Sequence, residues 1–483
     1  MGSRALNLAL QASRLLPQRR SLAAPHSAHL VGIAGAGMRA LADVLLGRGW
    51  SVTGSDLLPD SVSWLAERGV PVHSGHAAGH VPAEAGLVVY SDAVDRHNPE
   101  RQRASELGLR QYSYPQMMGE LMKARVGLAV AGTHGKSTTT ALAARILIDA
   151  GLDPTVVGGG TPLGRCTGGR HGSGRQLLVE ACEYRRNFLQ LCPTMAVLTG
   201  IEHDHFDCFA SLGDVEAAFA EFAGRLPAKG TLIVNAGCPI SRRIVASVRS
   251  QVVTFGIDCG ADWQAARLRH DGGQYQFDLV GPGGPIADVR LRIAGRHNVL
   301  NAVAAAALAA RAGADERSIV RGLREFRGLE RRLERVGQWH GSLWYDDYAH
   351  HPTEVSAALA TVRQMFPNRR LWCIFQPHQQ SRTLALLDEF ADSLQNADRV
   401  AIAEVYSARE PGGVASGAVA ARLAGRTRAR GAEVLVEHEL GRIAEEAGGQ
   451  IAAGDILLTL GAGDIRKVWN GFTGRIRSYR AAG

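Results

Sequence analysis

Short apolar runs alternate with amphipathic stretches along almost the whole chain. The runs 126–130 and 371–375 have the length and composition of buried strands. Between such runs, apolar residues recur at helical spacing, as at Met38, Leu41 and Leu45. Strands that alternate with helices are typical of parallel sheets with crossover connections. The pattern therefore predicts an α/β fold.

The predicted strands fall into three groups. They are 30–33, 51–53 and 87–90 in the first group, 126–130, 155–157, 177–179, 195–199 and 231–234 in the second, and 343–345, 371–375, 400–403, 434–436 and 456–460 in the third. In the second group, glycines and prolines at 281–285 separate two alternating runs and predict an antiparallel hairpin. An alanine-rich helix is predicted at 301–312.

We expect three α/β domains, and the outer two should be Rossmann-like. The predicted boundaries give a tail at 1–28 and domains at 29–124, 125–328 and 329–483. The tail contains several arginines and no acid, since the first carboxylate is Asp43. We expect this tail to be unstructured, with an organellar transit peptide as the alternative.

Composition excludes several classes of protein. A chain of 483 residues is too long for one hydrophobic core, and 46% hydrophobic with 21% charged residues is typical of a soluble globular protein. No apolar run is long enough to cross a membrane. The net charge of +8 is scattered, which favours anionic small molecules over nucleic acid. Seven cysteines without a CxxC motif favour a reducing compartment, so we expect a cytoplasmic protein.

A first glycine-rich turn follows the first predicted strand. Gly32, Gly35 and Gly37 let the backbone approach a phosphate at the start of a helix. Asp56 follows at the end of the second strand, where a ribose-binding acid would lie. These residues suggest NAD or another nucleotide, but Ala34 interrupts the GxGxxG pattern, and a structural turn is the alternative.

A second glycine-rich turn indicates ATP or GTP binding. The run 126–130 leads into Gly132-Thr-His-Gly-Lys136-Ser137-Thr138 and then a helix. Backbone amides would hold the phosphates, Lys136 would contact the β- and γ-oxygens, and Ser137 would hold Mg²⁺. Because two nucleotide sites occur in one chain, a two-substrate enzyme is favoured over a simple ATPase.

Acids and histidines follow later strands of the second group. Glu180 and Glu183 come after one strand, and His203, His205 and neighbouring acids come after another. A phosphate-binding loop requires a metal, and carboxylates suit Mg²⁺. Zinc at the two histidines and a solvated acidic loop are the alternatives.

In the third group, two strand ends carry polar residues. Asp347 and His350 follow one strand, and His378 and Arg382 follow the next. Because such ends meet at one edge of a parallel sheet, we expect these side chains to line one cleft.

These motifs, in this order, resemble the Mur ligase family. The matching strings are 32–38, 54–56, 75–76, 98–100, 132–140, 297–301, 331–332, 346–354, 375–383 and 461–464. The resemblance runs from about His29 to Val468 and is greatest to the members that add L-alanine to UDP-N-acetylmuramate. It implies a UDP-sugar-binding domain, a central ATP-binding domain and a C-terminal amino-acid-binding domain. It also changes the ligand predicted at the first glycine turn from NAD to uridine diphosphate.

The resemblance implies a role for each matching residue. UDP-sugar contacts would be Gly35, Ala36, Gly37, Met38, Ser55, Asp56, His76 and Ser91. ATP contacts would be Gly132, Thr133, His134, Gly135, Lys136, Ser137, Thr138, Asn298, Arg332 and Asp347. Metal ligands would be Ser137, Glu180 and His205, with Glu183 competing with Glu180 for a second Mg²⁺. Catalytic residues would be Lys136, His205, His350 and Arg382, the last two on the amino-acid side.

The implied reaction is an ATP-dependent ligation through an acyl phosphate. Its partners would be ATP, UDP-N-acetylmuramate and L-alanine, with no nucleic acid and no membrane insertion, in a monomer or homodimer. The chain departs from the family at 182–185, where Cys-Glu-Tyr-Arg replaces the usual Asp-Glu-Ser-Asp. A ligase of the same fold that recycles a tripeptide is the alternative, and an NAD-dependent dehydrogenase is a more distant one.

Overall fold

The computed structural model describes residues 26–58, 62–339, 341–407, 410, 416–436, 439–472 and 477–478. The predicted tail at 1–28 therefore lies almost entirely outside the described residues. The described strands form three sheets, and helices connect and cover them. The α/β fold class predicted from the sequence is confirmed.

The first sheet is parallel throughout, with the strand order β3-β2-β1-β4-β5 of a Rossmann-type unit. Its strands are β1 (Ser27–Val31), β2 (Ser51–Asp56), β3 (Val72–Ser74), β4 (Leu87–Tyr90) and β5 (Arg110–Ser113). Its helices are Ala36–Gly47, Ser63–Glu67, Pro99–Glu106 and Tyr114–Met122, with a 3₁₀ turn at Ala78–His80. The first strand ends earlier than predicted because Gly32, at a φ of 82°, turns the chain into the glycine-rich loop.

The central sheet has the order β15-β14-β13-β12-β11-β10-β6-β9-β7-β8 and is mixed. Its strands are β6 (Val126–Ala131), β7 (Thr155–Val157), β8 (Gly169–Arg170), β9 (Gln176–Glu180), β10 (Met195–Leu198), β11 (Thr231–Asn235), β12 (Gln251–Ile257), β13 (Trp263–Asp271), β14 (Gln274–Gly281) and β15 (Gly284–Ala294). Its helices are Lys136–Asp149, Leu212–Gly224, Pro239–Val245, Arg296–Arg311 and Glu316–Glu325, with a 3₁₀ segment at Tyr184–Gln190. The predicted hairpin is confirmed, since β14 pairs antiparallel with β15.

The third sheet has the order β20-β19-β18-β21-β17-β16-β22 and is parallel from β20 to β17. Its strands are β16 (Glu334–Trp339), β17 (Ser342–Asp347), β18 (Leu371–Phe375), β19 (Arg399–Ile402), β20 (Val434–Val436), β21 (Ile456–Leu460) and β22 (Arg477–Ser478). Its helices are Pro352–Met365, Gln380–Ala385, Leu387–Ser393, Ser416–Ala429 and Leu440–Gly448, with 3₁₀ segments at Leu394–Asn396 and Ile465–Phe472. Because β21 lies between β17 and β18, the two strands with polar ends are not direct neighbours.

The helix Ala36–Gly47 lies between the first sheet and the central sheet. Its apolar face shares one core with strands of both sheets. Asp43 accepts a hydrogen bond of 2.8 Å from the Thr167 hydroxyl. At β8, the backbone of Gly169 lies so close to the helix that an added Cβ would be 2.2 Å from the Ala40 carbonyl oxygen. Among the described residues, no helix combines the length and the apolar character needed to span a bilayer.

We expect Gly169→Ala to lower the free energy of unfolding by about 1–3 kcal/mol, because the new methyl group overlaps backbone that cannot move aside. Urea denaturation followed by circular dichroism measures the change. Gly224→Ala is the matched control, since nothing lies within 4 Å of an added Cβ at that helix end. Equal midpoints for the wild type and Gly169→Ala would contradict this packing.

Candidate functional site

The loop between β6 and the helix Lys136–Asp149 has the geometry of a phosphate-binding loop. Gly132 and Gly135 have φ angles of 138° and 79°, which favour glycine. Added Cβ atoms would lie 2.0 Å from the Thr199 hydroxyl and 2.3 Å from the Asn301 amide oxygen, respectively. The predicted strand, loop and helix are therefore present, and neither glycine can be replaced without moving a neighbour.

Lys136 bends back over this loop. Its Nζ donates to the carbonyl oxygens of Gly132 at 2.5 Å and Thr133 at 3.1 Å, and to Glu183 Oε1 at 2.9 Å. Burial lowers the pKa of Lys136, but the nearby acidic groups, Glu183 foremost, together outweigh burial and raise that pKa above its usual range. Lys136 is therefore a fixed positive charge at the mouth of the loop.

The predicted metal ligands lie in two adjoining groups. The Ser137 hydroxyl donates to Glu180 Oε1 at 2.8 Å, and the Gly159 amide donates to Glu180 Oε2 at 2.7 Å. His205 Nε2 lies 3.4 Å from Glu183 Oε1. A hydroxyl beside carboxylates is a donor set that fits Mg²⁺, with the imidazole at its edge. Glu180 therefore borders Ser137, whereas Glu183 is the counter-ion of Lys136.

A buried ion pair joins the loop after β10 to the helix Gln380–Ala385. Arg382 is 1% exposed, and its Nε donates to Asp204 Oδ1 at 2.7 Å. Burial raises the pKa of Asp204, but the Arg382 charge, together with the neighbouring histidines and a backbone hydrogen bond, holds that pKa below its usual range. The resemblance assigns Arg382 to the amino-acid side, and the structure pairs its guanidinium with Asp204, which is followed directly by His205.

Glu354, near the start of the helix Pro352–Met365, contacts three predicted functional residues. His134 Nδ1 donates to Glu354 Oε1 at 3.1 Å, and the His350 backbone amide donates to Glu354 Oε2 at 3.1 Å. Arg332 Nη1 lies 4.0 Å from Glu354 Oε1. Sequence reasoning gave Glu354 no role, although its place two residues after Pro352 at a helix start was a usable signal. This carboxylate connects the phosphate loop with the third sheet.

Asp347 and Arg332 both interact electrostatically with Glu354. Asp347 accepts hydrogen bonds of 2.8 Å from the Leu333 and Ala349 amides, and burial raises the pKa of Asp347 to about 6. The Arg332 guanidinium lies 5.3 Å from the centre of the Tyr348 ring. These contacts fix the side chains that the resemblance assigns to ribose and phosphate.

Two further predicted ATP contacts are buried. The Asn298 side-chain amide donates to the Ala294 carbonyl oxygen at 2.6 Å and accepts from Asn301 Nδ2 at 3.1 Å. Thr138 is 7% exposed in the first turn of its helix.

His350 and His378 meet although β21 separates their strands. Their ring centres are 5.8 Å apart. Burial lowers the pKa of His350 to about 4, so this imidazole is neutral near neutral pH. His350 Nδ1 lies 3.0 Å from the Tyr348 carbonyl oxygen, which can only accept, so Nδ1 carries the proton and Nε2 is left as an acceptor.

Four of the predicted UDP-sugar residues, 35–38, form the end of the first glycine-rich turn and the start of the helix that follows it. Gly35 precedes the helix that starts at Ala36, and an added Cβ on Gly37 would lie 2.8 Å from the Tyr114 ring. Met38 is 2% exposed and belongs to the core below this turn.

Two more of the predicted UDP-sugar residues support the same turn. Asp56 accepts a hydrogen bond of 2.9 Å from the Ala34 amide. Ser91 packs against Gly32 from the end of β4, where an added Cβ on the glycine would lie 2.9 Å from the serine Cβ. Both contacts hold the backbone of the turn in place.

A buried carboxylate holds Ser55 and His76 in this region. Glu100 is fully buried and accepts from the Ser55 hydroxyl at 2.6 Å, while His29 Nε2 and His80 Nδ1 each lie 3.1 Å from it. His76 Nδ1 lies 3.0 Å from the Ser55 hydroxyl. Burial raises the pKa of Glu100, but these hydrogen bonds together lower it to about 2. Glu100 is a further residue to which sequence reasoning assigned no role.

Family models match three successive stretches of the chain. They are the Mur ligase family, catalytic domain over residues 27–126, the Mur ligase middle domain over 130–309, and the Mur ligase, glutamate ligase domain over 331–463. The UDP-N-acetylmuramate–L-alanine ligase of Salinibacter ruber is 40% identical over 92% of this chain and 94% of that protein. The enzyme of the same name from Desulfitobacterium hafniense is 41% identical over 92% of this chain and 98% of that protein.

Solved structures are similar over nearly the whole length. The UDP-N-acetylmuramate-alanine ligase of Thermotoga maritima matches with a TM-score of 0.78 and 27% identity over 93% of this chain and 98% of that one. A murein peptide ligase from Psychrobacter arcticus matches with a TM-score of 0.70 and 27% identity, over 92% of this chain and 98% of that one. The chain belongs to the Mur ligase family, which confirms the resemblance seen in the sequence.

We expect Glu100→Gln to flatten the dependence of stability on pH. The Glu100 pKa of about 2 lies below its ordinary 4.5, so its contribution is complete above pH 4.5 and is lost as the pH falls toward 2. At neutral pH the variant should lose about 3 kcal/mol of unfolding free energy, and the difference from the wild type should shrink in acid. Urea denaturation of both proteins at several pH values from about 2 to 7 measures this difference in unfolding free energy.

The control for this experiment is Glu106→Gln, an exposed acid on the same helix. It should follow the wild-type pH profile. Parallel profiles for the wild type and Glu100→Gln would contradict a stabilising charge at Glu100.

Proposed function

We propose that this chain uses ATP to join L-alanine to the lactyl carboxylate of UDP-N-acetylmuramate through an acyl phosphate. The observation that carries the proposal is about 40% identity, over more than nine-tenths of the chain, to relatives that have this activity in their name. The phosphate-binding loop with Lys136 gives this activity its chemical basis. Phosphorylation is needed because a carboxylate oxygen is too poor a leaving group for direct attack by an amine.

We assign one substrate to each predicted domain. The turn at 35–38 with Ser55, Asp56, His76 and Ser91 would bind the UDP-sugar within 29–124. The loop at 132–138 would bind ATP within 125–328, and residues 329–483 would bind the amino acid. This assignment is supported by the way in which loops from the second and third domains meet at Glu354.

Lys136 would neutralise the phosphoryl group as it moves to the sugar carboxylate and then the oxyanion formed by amine attack. Its ion pair with Glu183 holds the ammonium in place before substrates arrive. Ser137 and Glu180, with His205 at the edge, would hold Mg²⁺, which supplies positive charge to the phosphate oxygens when bound. The contacts of Glu180 and Glu183 favour Glu180 as the carboxylate ligand.

His350 would orient the amino acid. Its neutral Nε2 can accept a hydrogen bond from the attacking amine, because Nδ1 is committed to the Tyr348 carbonyl oxygen. Arg382 would act by holding Asp204, and so would position the segment that carries His205.

We place the reaction in the cytoplasm. All seven cysteines lie in the described part of the chain and are free, which suits a reducing compartment. The tripeptide-recycling ligase remains the second candidate, favoured by the similarity to the murein peptide ligase. The phosphate-binding loop argues against a dehydrogenase.

The first experiment is to measure phosphate release from ATP and Mg²⁺ with UDP-N-acetylmuramate, adding L-alanine or the L-alanyl-γ-D-glutamyl tripeptide separately. We expect release that requires L-alanine, because the relatives named for L-alanine match over nearly the full chain. Omission of UDP-N-acetylmuramate is the control and should abolish release. Release only with the tripeptide would move the chain to the recycling reaction.

We expect Lys136→Ala to lower kcat by at least about 100-fold, because the charge that stabilises the moving phosphoryl group is removed. UDP-N-acetylmuramate binding, measured by calorimetry, should be unchanged, since the predicted sugar site lies on the first sheet. Lys229→Ala, at an exposed lysine of the same domain, is the matched control. Lost sugar binding in a folded Lys136→Ala protein would contradict the domain assignment.

A further inference from the structure

Two histidines and one glutamate meet where the central sheet faces the third sheet. They are His134 in the phosphate loop, Glu202 in the loop after β10, and His351 just before the helix Pro352–Met365. One ligand atom from each residue lies within 4.8 Å of the others. Within the described residues, no other group of three such side chains is as close.

The spacing suits a tetrahedral transition metal. Glu202 Oε2 lies 3.5 Å from His134 Nε2 and 3.7 Å from His351 Nδ1. Zinc bound about 2.0–2.1 Å from nitrogen and oxygen ligands separates them by about 3.4 Å in a tetrahedron. Both separations from Glu202 Oε2 are therefore within a few tenths of an ångström of that spacing, and the three ligand atoms all lie within 4.8 Å of one another.

Neighbouring side chains already orient the ligands. Glu354 binds Nδ1 of His134 at 3.1 Å, and the Thr353 hydroxyl donates to Glu202 Oε2 at 2.7 Å. Such contacts around the ligands fix imidazole tautomers and carboxylate positions in metal sites. The Nε2 atoms of His134 and His351 are buried and make no hydrogen bond. His351 Nδ1 accepts only a long bond of 3.4 Å from the Thr353 amide.

We propose that His134, Glu202 and His351 form a binding site for a transition-metal cation of the zinc class. Two imidazoles and one carboxylate suit zinc, whereas the oxygen-rich group at Ser137 and Glu180 suits magnesium. The three ligands come from both sides of the cleft, so the bound cation would link the phosphate loop to the third domain and resist opening.

Zinc binding must displace a proton from His134. Burial lowers the pKa of His134, but the charges of Glu354 and Glu202 raise it to about 9. A bound dication replaces that proton as the partner of Glu202, and the released proton goes to solvent. The experiment is therefore carried out at about pH 8, where protons compete less strongly for His134 than at neutral pH.

The test uses the full chain without nucleotide or Mg²⁺, so its result is independent of the proposed ligase activity. Zn²⁺ binding is measured by calorimetry, and Co²⁺ is used as a spectroscopic substitute whose tetrahedral form absorbs visible light strongly. We expect one site with tetrahedral Co²⁺ absorption. Glu202→Gln and His351→Asn should each weaken it by more than about 100-fold, beyond the usual effect of losing an outer contact.

The variants are chosen to keep the fold. Asparagine at 351 can cap the following helix as His351 does, and Glu202 is 43% exposed. Thr353→Val should weaken binding by about 10-fold, because it removes only the hydrogen bond to Glu202. His203→Ala is the matched control, since this imidazole contacts the Phe209 carbonyl oxygen and lies outside the cluster.

Two results would overturn the proposal. One is Zn²⁺ affinity that is unchanged in both Glu202→Gln and His351→Asn. The other is Co²⁺ that binds without the tetrahedral absorption, or that loses it equally in His203→Ala. Circular dichroism melts of each variant separate loss of the site from loss of the fold.

Discussion

The carboxylate of Glu354, whose side chain is 12% exposed, is the group on which the arrangement of the site depends. A carboxylate removed from water must be paired and hydrogen-bonded, or it destabilises the protein by several kcal/mol. Here the partners come from the phosphate loop through His134 and from the third sheet through the His350 amide. Satisfying this one charge therefore brings the loop at 132–138 and the third sheet together.

The same pairing of each polar or charged side chain with a partner is found in the other parts of the site. Lys136 is held by Glu183, and Arg382 is held by Asp204, so each basic group that could meet an anion has an acidic partner. Ser55 is held by Glu100 in the first sheet. Preorganised charges of this kind need little rearrangement during reaction, which is the main source of electrostatic catalysis. The acids between the predicted ligand contacts matter as much as the contacts themselves.

The sequence predicted most of the apolar framework because buried strands and helix faces leave a local pattern. Strands such as Leu371–Phe375 and Ile456–Leu460 match their predicted bounds. The polar strand Arg110–Ser113 and the charged strand Trp263–Asp271 were not predicted, because they lie partly exposed and lack an apolar run. Whether such a segment forms a strand depends on pairing with a neighbouring strand, and this pairing cannot be seen in the local sequence.

The predicted site residues came from local motifs, whereas three of the acids that hold them, Glu100, Asp204 and Glu354, did not. His134 and Glu354 are 220 positions apart, and Arg382 and Asp204 are 178 apart. No periodicity or short motif connects such pairs, and only the fold brings them within reach. Glu180 and Glu183 follow the same strand, so sequence alone could not separate the partner of Ser137 from the partner of Lys136.

The departure at 182–185 is explained by this division of acids. Glu180, at the end of β9, borders Ser137, and Glu183, within the segment, neutralises Lys136, so residues 180–185 still supply two charges near the loop. Tyr184 donates to Asp207 at 3.0 Å, and its ring lies against His205 at 5.2 Å between centres. The aromatic side chain thus supports the imidazole from the side. A segment with fewer carboxylates can therefore serve the same loop, because the two that remain have separate partners.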